Sequence, residues 1–597
     1  MRKFLPFLLC LGLACNLLAS PPAPTATATP PAISTAAPLE TATLRTITAF
    51  PSTTPSPAPR PPTPASAASL SATPPAPCNF QLRPEDVIVH PEPLLYSGDT
   101  VSLEVVIDSQ CPEWRAGSVT VYAGSRTDVP LAATTPAPYG LGGRLEATFT
   151  WVWDTQTRVG PQTLIVEARP AKRPAGNPAA SSAVTVTLNL LSADERPAPE
   201  TLAHWAVAQS ACCTIHYLSG TAAARDIDLI ARQAAEAQDK VKANLGVTWN
   251  KPVDFTMLSR LLGHGGFATS SIALTYIDRN PVGDNLLTIF THEQTHILDS
   301  KLTAVRPALM GEGLAVYVAG GHFKPNEDFM QRGAALLKLG RYIPLSELAD
   351  NFYPSQHETG YLEGASLITY LVQTYGWDAF KQFYGSFKAG PDRQMLDNAL
   401  QANFHKNLSD IEADWQAALR AQPITPAQVD DLRLSLDLYD TLRRYQRADD
   451  PSAYFLTAWV PDTAEAVRRG LVADYVRHPA SPENVALETM LAAAERALEA
   501  GRYPQAETLL NAVNAVLDAH NLFFDPVAAR FLGIASSLAE AGYEAQWIDF
   551  DPAAPAAEPV TVKAIRHWPA LEMLTLTLGE GGWQIAPVPA VVVTATP

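Results

Sequence analysis

The chain has 597 residues, 47% hydrophobic and 17% charged, with 52 Pro, 6 Cys and a formal net charge of −17. That length provides for three or four domains of ~100–200 residues, and the apolar content excludes a disordered acidic chain. The acidic balance, with no Lys/Arg cluster, argues against nucleic acid as a partner, and nothing after the first twenty residues offers the ~18 uninterrupted apolar residues of a membrane span.

Residues 1–20 place Arg2 and Lys3 before a short apolar run, the pattern of an export signal too short to span a bilayer permanently. Two endings fit it. Leu11-Gly12-Leu13-Ala14-Cys15 resembles the cleavage box of bacterial lipoproteins, which implies a lipid anchor on Cys15. Ordinary cleavage near Ala19 or Ser20 instead gives a freely secreted chain. Residues 21–77 hold 16 Pro, 14 Ala, 12 Thr and 6 Ser, with Glu40, Arg45 and Arg60 as their only charges. Such a segment cannot bury enough apolar surface to offset its ordering entropy, and Pro keeps it extended, so it reads as a disordered stalk or linker.

Residues 78–192 alternate apolar and polar residues in short runs, clearest in Val101–Ile107, Leu145–Trp151 and Ala183–Leu188. Strands at this spacing predict a β-sandwich. It resembles the immunoglobulin-like modules of bacterial surface proteins, which implies spacing, adhesion or the binding of cell-wall glycan. Cys78 and Cys111, the module's only cysteines, are expected to pair in an exported chain.

Pro197 and Pro199 mark the next boundary, and residues 200–421 change pattern. A strand is expected around Thr214–Tyr217 and a helix from Ala222 to Leu245. Strands follow at Val253–Leu258 and Ser271–Ile277, the second able to pair with an extended peptide. The adjacent Cys212 and Cys213 either pack as small hydrophobes or form a vicinal disulfide, the first being expected.

The stretch Leu286–Leu298 carries the chemistry. Leu286, Ile289, Phe290 and Ile297 recur at helical spacing, and positions four apart share a helix face, so His292 and His296 can reach one ion. Glu293, offset by one residue, stands where a general base for an activated water must sit. Neutral imidazole suits Zn2+, which acidifies water and polarises a carbonyl. Chance predicts only about 0.01 copies of His-Glu-x-x-His in a chain of this composition. A catalytic zinc takes three protein ligands and leaves a fourth position open. Glu312 interrupts an apolar helical run at Pro307–Tyr317, and a lone Glu there needs a partner.

These residues resemble the gluzincin metallopeptidases, whose second helix supplies the third ligand from Glu-Gly-x-Ala-x-Tyr, matched here by Glu312, Gly313, Ala315 and Tyr317. Leu309 stands where the family usually has Trp, and Val316 where many members place a carboxylate that orients the histidines. Asp299, three residues past His296, is a substitute on the same face. Tyr361-Leu362-Glu363-Gly364-Ala365 resembles the Tyr-x-x-Gly-Ala helix start of the aminopeptidase N family and of peptidase MA-like domains. That resemblance implies that the Tyr361 hydroxyl stabilises the oxyanion of the tetrahedral intermediate. It also implies a zincin-like α+β domain, one catalytic Zn2+ and a peptide or protein substrate. Related aminopeptidases hold a free amine with a Glu in a Gly-x-Met-Glu-Asn strand. Gly265–Thr269 has no carboxylate, so endopeptidase action is expected. His264, His322 and His357 read as loop histidines that either border the cleft or face solvent, the second being expected.

Residues 422–548 are helical in pattern, and 549–597 form a small strand-containing module with runs at Val560–Ile565 and Met573–Leu578. The whole predicts an exported, multi-domain zinc metallopeptidase. Its competitor, motivated by Leu309 and Val316, is a zincin-like surface protein that binds without turnover.

Overall fold

Inward-facing apolar residues on alternating positions build the N-terminal module. The computed structural model describes residues 80–588 except 93, 108–113, 115, 140–143, 172–180, 262–264, 282–284, 323, 354–356 and 452–462. The expected export signal with Cys15, the expected stalk, both partners of the expected Cys78–Cys111 bridge, and His264 lie outside the described residues. Nine strands are described here: Val87–His90 (β1), Leu95–Tyr96 (β2), Thr100–Ile107 (β3), Ser118–Ala123 (β4), Ala132–Thr134 (β5), Ala137–Tyr139 (β6), Arg144–Asp154 (β7), Gly160–Arg169 (β8) and Ser182–Leu191 (β9). They form two sheets, β1-β3-β7-β6 and β2-β9-β8-β4-β5. One apolar core, with Leu103, Val105, Val121, Phe149 and Val166, lies between them.

This module does not stand free as a spacer would. Trp151 of β7 leaves its own core and packs with Leu218, Leu258, Ala273 and Tyr475 of the regions that follow. Its indole Nε1 donates to Asp474 Oδ2 at 2.8 Å. Arg477, buried, bridges Asp99 (2.7 Å) and Glu200 (2.6 Å) and lies over the ring of Tyr96.

The next region is α+β. Its strands are Trp205–Gln209 (β10), Cys213–Leu218 (β11), Val253–Leu258 (β12), Gly266–Ala268 (β13) and Ile272–Thr275 (β14), in the order β10-β11-β12-β14-β13. β13 is therefore an edge, antiparallel to β14. This moves the expected docking strand: the sheet edge is Gly266–Ala268, and β14 is paired on both sides. Cys212 and Cys213 are joined to each other by a disulfide, unlike the free packing expected of them. The β10–β11 turn, closed by Ser210 N on Cys213 O at 2.9 Å, turns both side chains into the same buried space.

Twelve helices carry the chain onward: Ala198–Leu202 (α1), Ala222–Arg225 (α2), Ile227–Leu245 (α3), Leu286–Leu298 (α4), Ala308–Ala319 (α5), Phe329–Leu339 (α6), Leu345–Asn351 (α7), His357–Tyr375 (α8), Trp377–Tyr384 (α9), Asp392–Phe404 (α10), Leu408–Arg420 (α11) and Pro426–Asp449 (α12). The helix expected over 222–245 is broken at Asp226. In α3, Ile230, Ala234, Ala237, Val241 and Leu245 are buried, the stripe its periodicity requires.

The C-terminal helices Pro482–Glu499, Tyr503–Asp518 and Pro526–Glu540 pack on an antiparallel sheet of Glu544–Asp549 (β15), Val560–Ile565 (β16), Leu571–Gly579 (β17) and Gly582–Pro587 (β18). β15 falls in what reads as helical sequence, and helices and sheet share one core, so 422–548 and 549–597 are not separate modules. α12 serves two cores: Leu432 and Leu436 join that of the preceding α+β region, and Leu434, Leu438 and Leu442 join the C-terminal one. No helix among the described residues is long and apolar enough to cross a membrane.

Candidate metal centre

α4 is fixed before it presents any chemistry. The Asn285 side chain caps its start by accepting from Thr288 N at 3.0 Å. Phe290 and Leu298 are fully buried, and Gln294 Nε2 donates to Ala234 O of α3 at 2.8 Å. Its bounds are those expected from sequence. At the start of α5, Ala308 N is satisfied from outside by Asp392 Oδ2 at 3.1 Å.

α5 and α8 cross at two glycines. A Cβ on Gly313 would lie 2.6 Å from the Gly364 carbonyl carbon, and one on Gly364 would lie 2.9 Å from Gly313 Cα. The Glu-Gly-x-Ala and Tyr-x-x-Gly-Ala motifs thus meet backbone to backbone, which brings Glu312 and Tyr361 to one site.

There, His292 Nε2 and His296 Nε2 lie 3.1 Å apart, and Glu312 Oε2 lies 3.4 and 3.1 Å from them. A tetrahedral ion bound at ~2.0–2.1 Å spaces its ligand atoms ~3.3 Å apart, so the three groups fit Zn2+ in donor type and spacing. Among the described residues this is the one cluster of His, Cys, Asp or Glu able to hold a metal. Electrostatics agree. Burial lowers His292 to about 4, against the pull of Glu312. Burial also works against His296, but the charge and hydrogen bond of Glu312 outweigh it and raise that ring to about 9. Glu312 sits well below the usual carboxylate range: burial opposes its charge, and His296 with both hydrogen bonds overcomes that. The trio therefore holds one proton where a divalent cation would replace it.

Glu293 is buried beside the trio, and its Oε2 meets no donor among the described residues. Burial pushes its carboxyl up to about 8. Edge strand β13 passes close above it: a Cβ on Gly266 would stand 3.2 Å from Glu293 Oε1. Tyr361 lies in α8, four residues inside a helix that starts at His357 rather than at Tyr361 itself. Its ring is 5.9 Å from that of His292, and burial followed by the charge of Glu312 raises its phenol well above the ordinary value, so it stays a donor.

Three further residues join the site, of which the sequence marks only His322, as a loop histidine that could border the cleft. Tyr353 donates to Glu312 Oε1 at 2.8 Å. His322 is half-buried rather than solvent-facing, with its ring stacked on Tyr361 at 4.4 Å and 5.8 Å from that of His292. Arg306 donates to Asp299 at 2.7 Å and to His296 O at 3.2 Å. Asp299 accepts from Arg306 and Tyr384 and bonds no imidazole among the described residues, so it braces α4 through Arg306 instead of standing in for the carboxylate absent at Val316. Val316 and Leu309 are core residues. The side chain of His357 lies outside the described residues. A cavity of about 520 Å³ opens beside His296 and Glu312, lined also by Arg306, Gly311, Tyr353 and Met395.

Two histidines four apart on one helix, a glutamate from the next and an acid between them define a gluzincin-type metal centre. Residues 208–421 match the Peptidase MA superfamily, and that stretch is a domain of it. Among solved structures, a variant of the M1 zinc metallopeptidase from Deinococcus radiodurans aligns with 58% of this chain and 93% of its own at 12% identity, with a TM-score of 0.25, too weak a likeness to carry an argument. No curated protein matches the chain.

Proposed function

We propose that the chain is an exported zinc-dependent peptidase acting within peptide chains. The observation that carries this reading is the convergence of His292, His296 and Glu312 at 3.1–3.4 Å beside buried Glu293. Zn2+ held by the trio would polarise the scissile carbonyl and acidify water. Glu293 takes the proton of the attacking water and returns it to the leaving amine, and its burial keeps its affinity for that proton high. The Tyr361 hydroxyl donates to the developing oxyanion. An extended substrate pairs with the β13 edge above Glu293, and a side chain next to the cleaved bond enters the cavity beside Glu312.

Endopeptidase action is supported by Gly265–Thr269, which runs over the site without a carboxylate to hold a free amine. The export signal in residues 1–20, with a lipid on Cys15, and an immunoglobulin-like assignment for the N-terminal sandwich belong to the same proposal. The non-catalytic alternative draws on Leu309 and Val316, and both are fully buried core residues. Metal analysis and peptide-library cleavage test the proposal. One zinc per chain is expected, with cleavage abolished by chelator and reduced at least about 1,000-fold in Glu293→Gln while zinc is retained. A chain without zinc, or an active Glu293→Gln, overturns it.

A further inference from the structure

His322 belongs to none of the roles above, yet it is tied down from three sides. Its Nδ1 lies 2.5 Å from Glu358 Oε2, a carboxylate buried in the first turn of α8. Its backbone N donates to Glu327 Oε2 at 3.1 Å. Its ring lies nearly parallel to that of Tyr361, 18° off plane, with centroids 4.4 Å apart. The anchorage continues outward. Arg332 Nε donates to Glu327 at 2.7 Å, and Arg332 and Lys324 clasp Asp431 of α12 at 2.7 and 2.9 Å. Asp431 lies beyond residue 421, outside the stretch matched to the superfamily.

From this chain of contacts we infer that His322, oriented by Glu358 and anchored through Glu327 and Arg332 to α12, is a positioning residue that sets the ring of Tyr361 against the reacting carbonyl. Three physical facts combine. An imidazole bonded through Nδ1 to a buried carboxylate has one ring orientation. Offset stacking at this separation passes that orientation to the neighbouring ring. A donor misplaced by ~1 Å loses about 100-fold in rate, so fixing one ring matters. Glu358 and Tyr361 sit three residues apart on α8, so one helix carries both the ring that acts and the carboxylate that aims its support. The C-terminal region then has a function at the site: α12 closes the far end of the ion-pair chain. This inference rests on the proposed role of Tyr361.

The test is a double-mutant cycle on the zinc-loaded full chain, read by kinetics and by calorimetric binding of a peptide phosphinate, whose tetrahedral phosphorus mimics the transition state. His322→Ala is expected to lower kcat about 30- to 100-fold with KM within about twofold, and to weaken phosphinate binding by a similar factor. Glu358→Ala behaves in the same way, and Glu358→Gln, which keeps an acceptor for Nδ1, loses less. In a Tyr361→Phe background, His322→Ala costs less than about threefold more, because its effect passes through the phenol. Independent, multiplying losses overturn the inference, as does a His322→Ala protein with unchanged kcat and phosphinate affinity. Loss of zinc in His322→Ala would assign it to the ion site instead, and also overturns it. If the wild-type chain cleaves no peptide, the peptidase proposal falls alone, since phosphinate binding still reads the His322–Tyr361 coupling. A zinc-loaded wild type that binds no phosphinate overturns both.

Discussion

Replacing Gly364 by Ala is expected to disable the site more than the fold. The added Cβ would stand 2.9 Å from Gly313 Cα and 3.0 Å from Leu309 O. Ordinary carbon contacts lie at ~3.5–4.0 Å, and both obstacles are backbone, so no side chain can swing aside. α5 and α8 must separate by about 0.6–1 Å. Overpacking of this kind costs about 1–3 kcal/mol of stability. The larger effect is geometric: Glu312 rides on α5 and Tyr361 on α8, so the same shift moves the proposed metal ligand away from the proposed oxyanion donor. A displacement near 1 Å is expected to lower kcat about 100-fold. Denaturant unfolding, zinc competition and steady-state cleavage would be measured on the same preparation. A Gly364→Ala protein with stability within about 0.5 kcal/mol of wild type and full activity would refute the claim that this crossing sets the site.

Zinc affinity should rise about tenfold per pH unit between pH 6 and 8, since one proton, held on His296 up to about 9, must leave the trio for the ion to bind, and a flat chelator-competition profile would contradict this. Asp474 is raised to about 6 by burial, so the folded chain binds its proton more tightly than the unfolded chain does. Stability should therefore fall by about 2 kcal/mol as pH rises from 4 to 6, and Asp474→Asn, which keeps an acceptor for Trp151, should remove that slope in unfolding measurements. Gly266→Ala places a Cβ 2.2 Å from Leu274 Cδ2, 3.1 Å from Ala273 O and 3.2 Å from Glu293 Oε1. Because the first obstacle is the end of a flexible side chain, stability should drop by less than about 1.5 kcal/mol while cleavage falls at least tenfold.

Much of the centre was legible because its ligands lie on helices whose apolar periodicity is strong. α4 has the bounds its pattern predicts, and Glu312 stood out as an acid in an apolar run. What escaped notice depends on contacts distant in sequence. Tyr353 reaches Glu312 across 41 residues, and nothing local marks it. His322 follows two glycines and looks like a loop histidine, and its burial comes from Glu358 and Tyr361 on a later helix. Trp151 fits a strand pattern equally well whether it faces its own core or a neighbour. β15 was misread because it follows directly on a long helical stretch, with only Gly542 and Tyr543 after the turn to separate them. The Gly313–Gly364 approach was visible as two motifs, but their contact was not.

The division of apolar residues on α12 has a consequence for how the chain matures. Leu432 and Leu436 complete the core beneath the metal centre, although they lie past the last residue of the superfamily match. A nascent chain, emerging from its N-terminal end, cannot close that core until α12 has appeared. Catalytic geometry is therefore deferred until well over two-thirds of the polypeptide is available. A fragment cut after Arg420 should expose an apolar strip and aggregate, even though it contains every ligand of the ion.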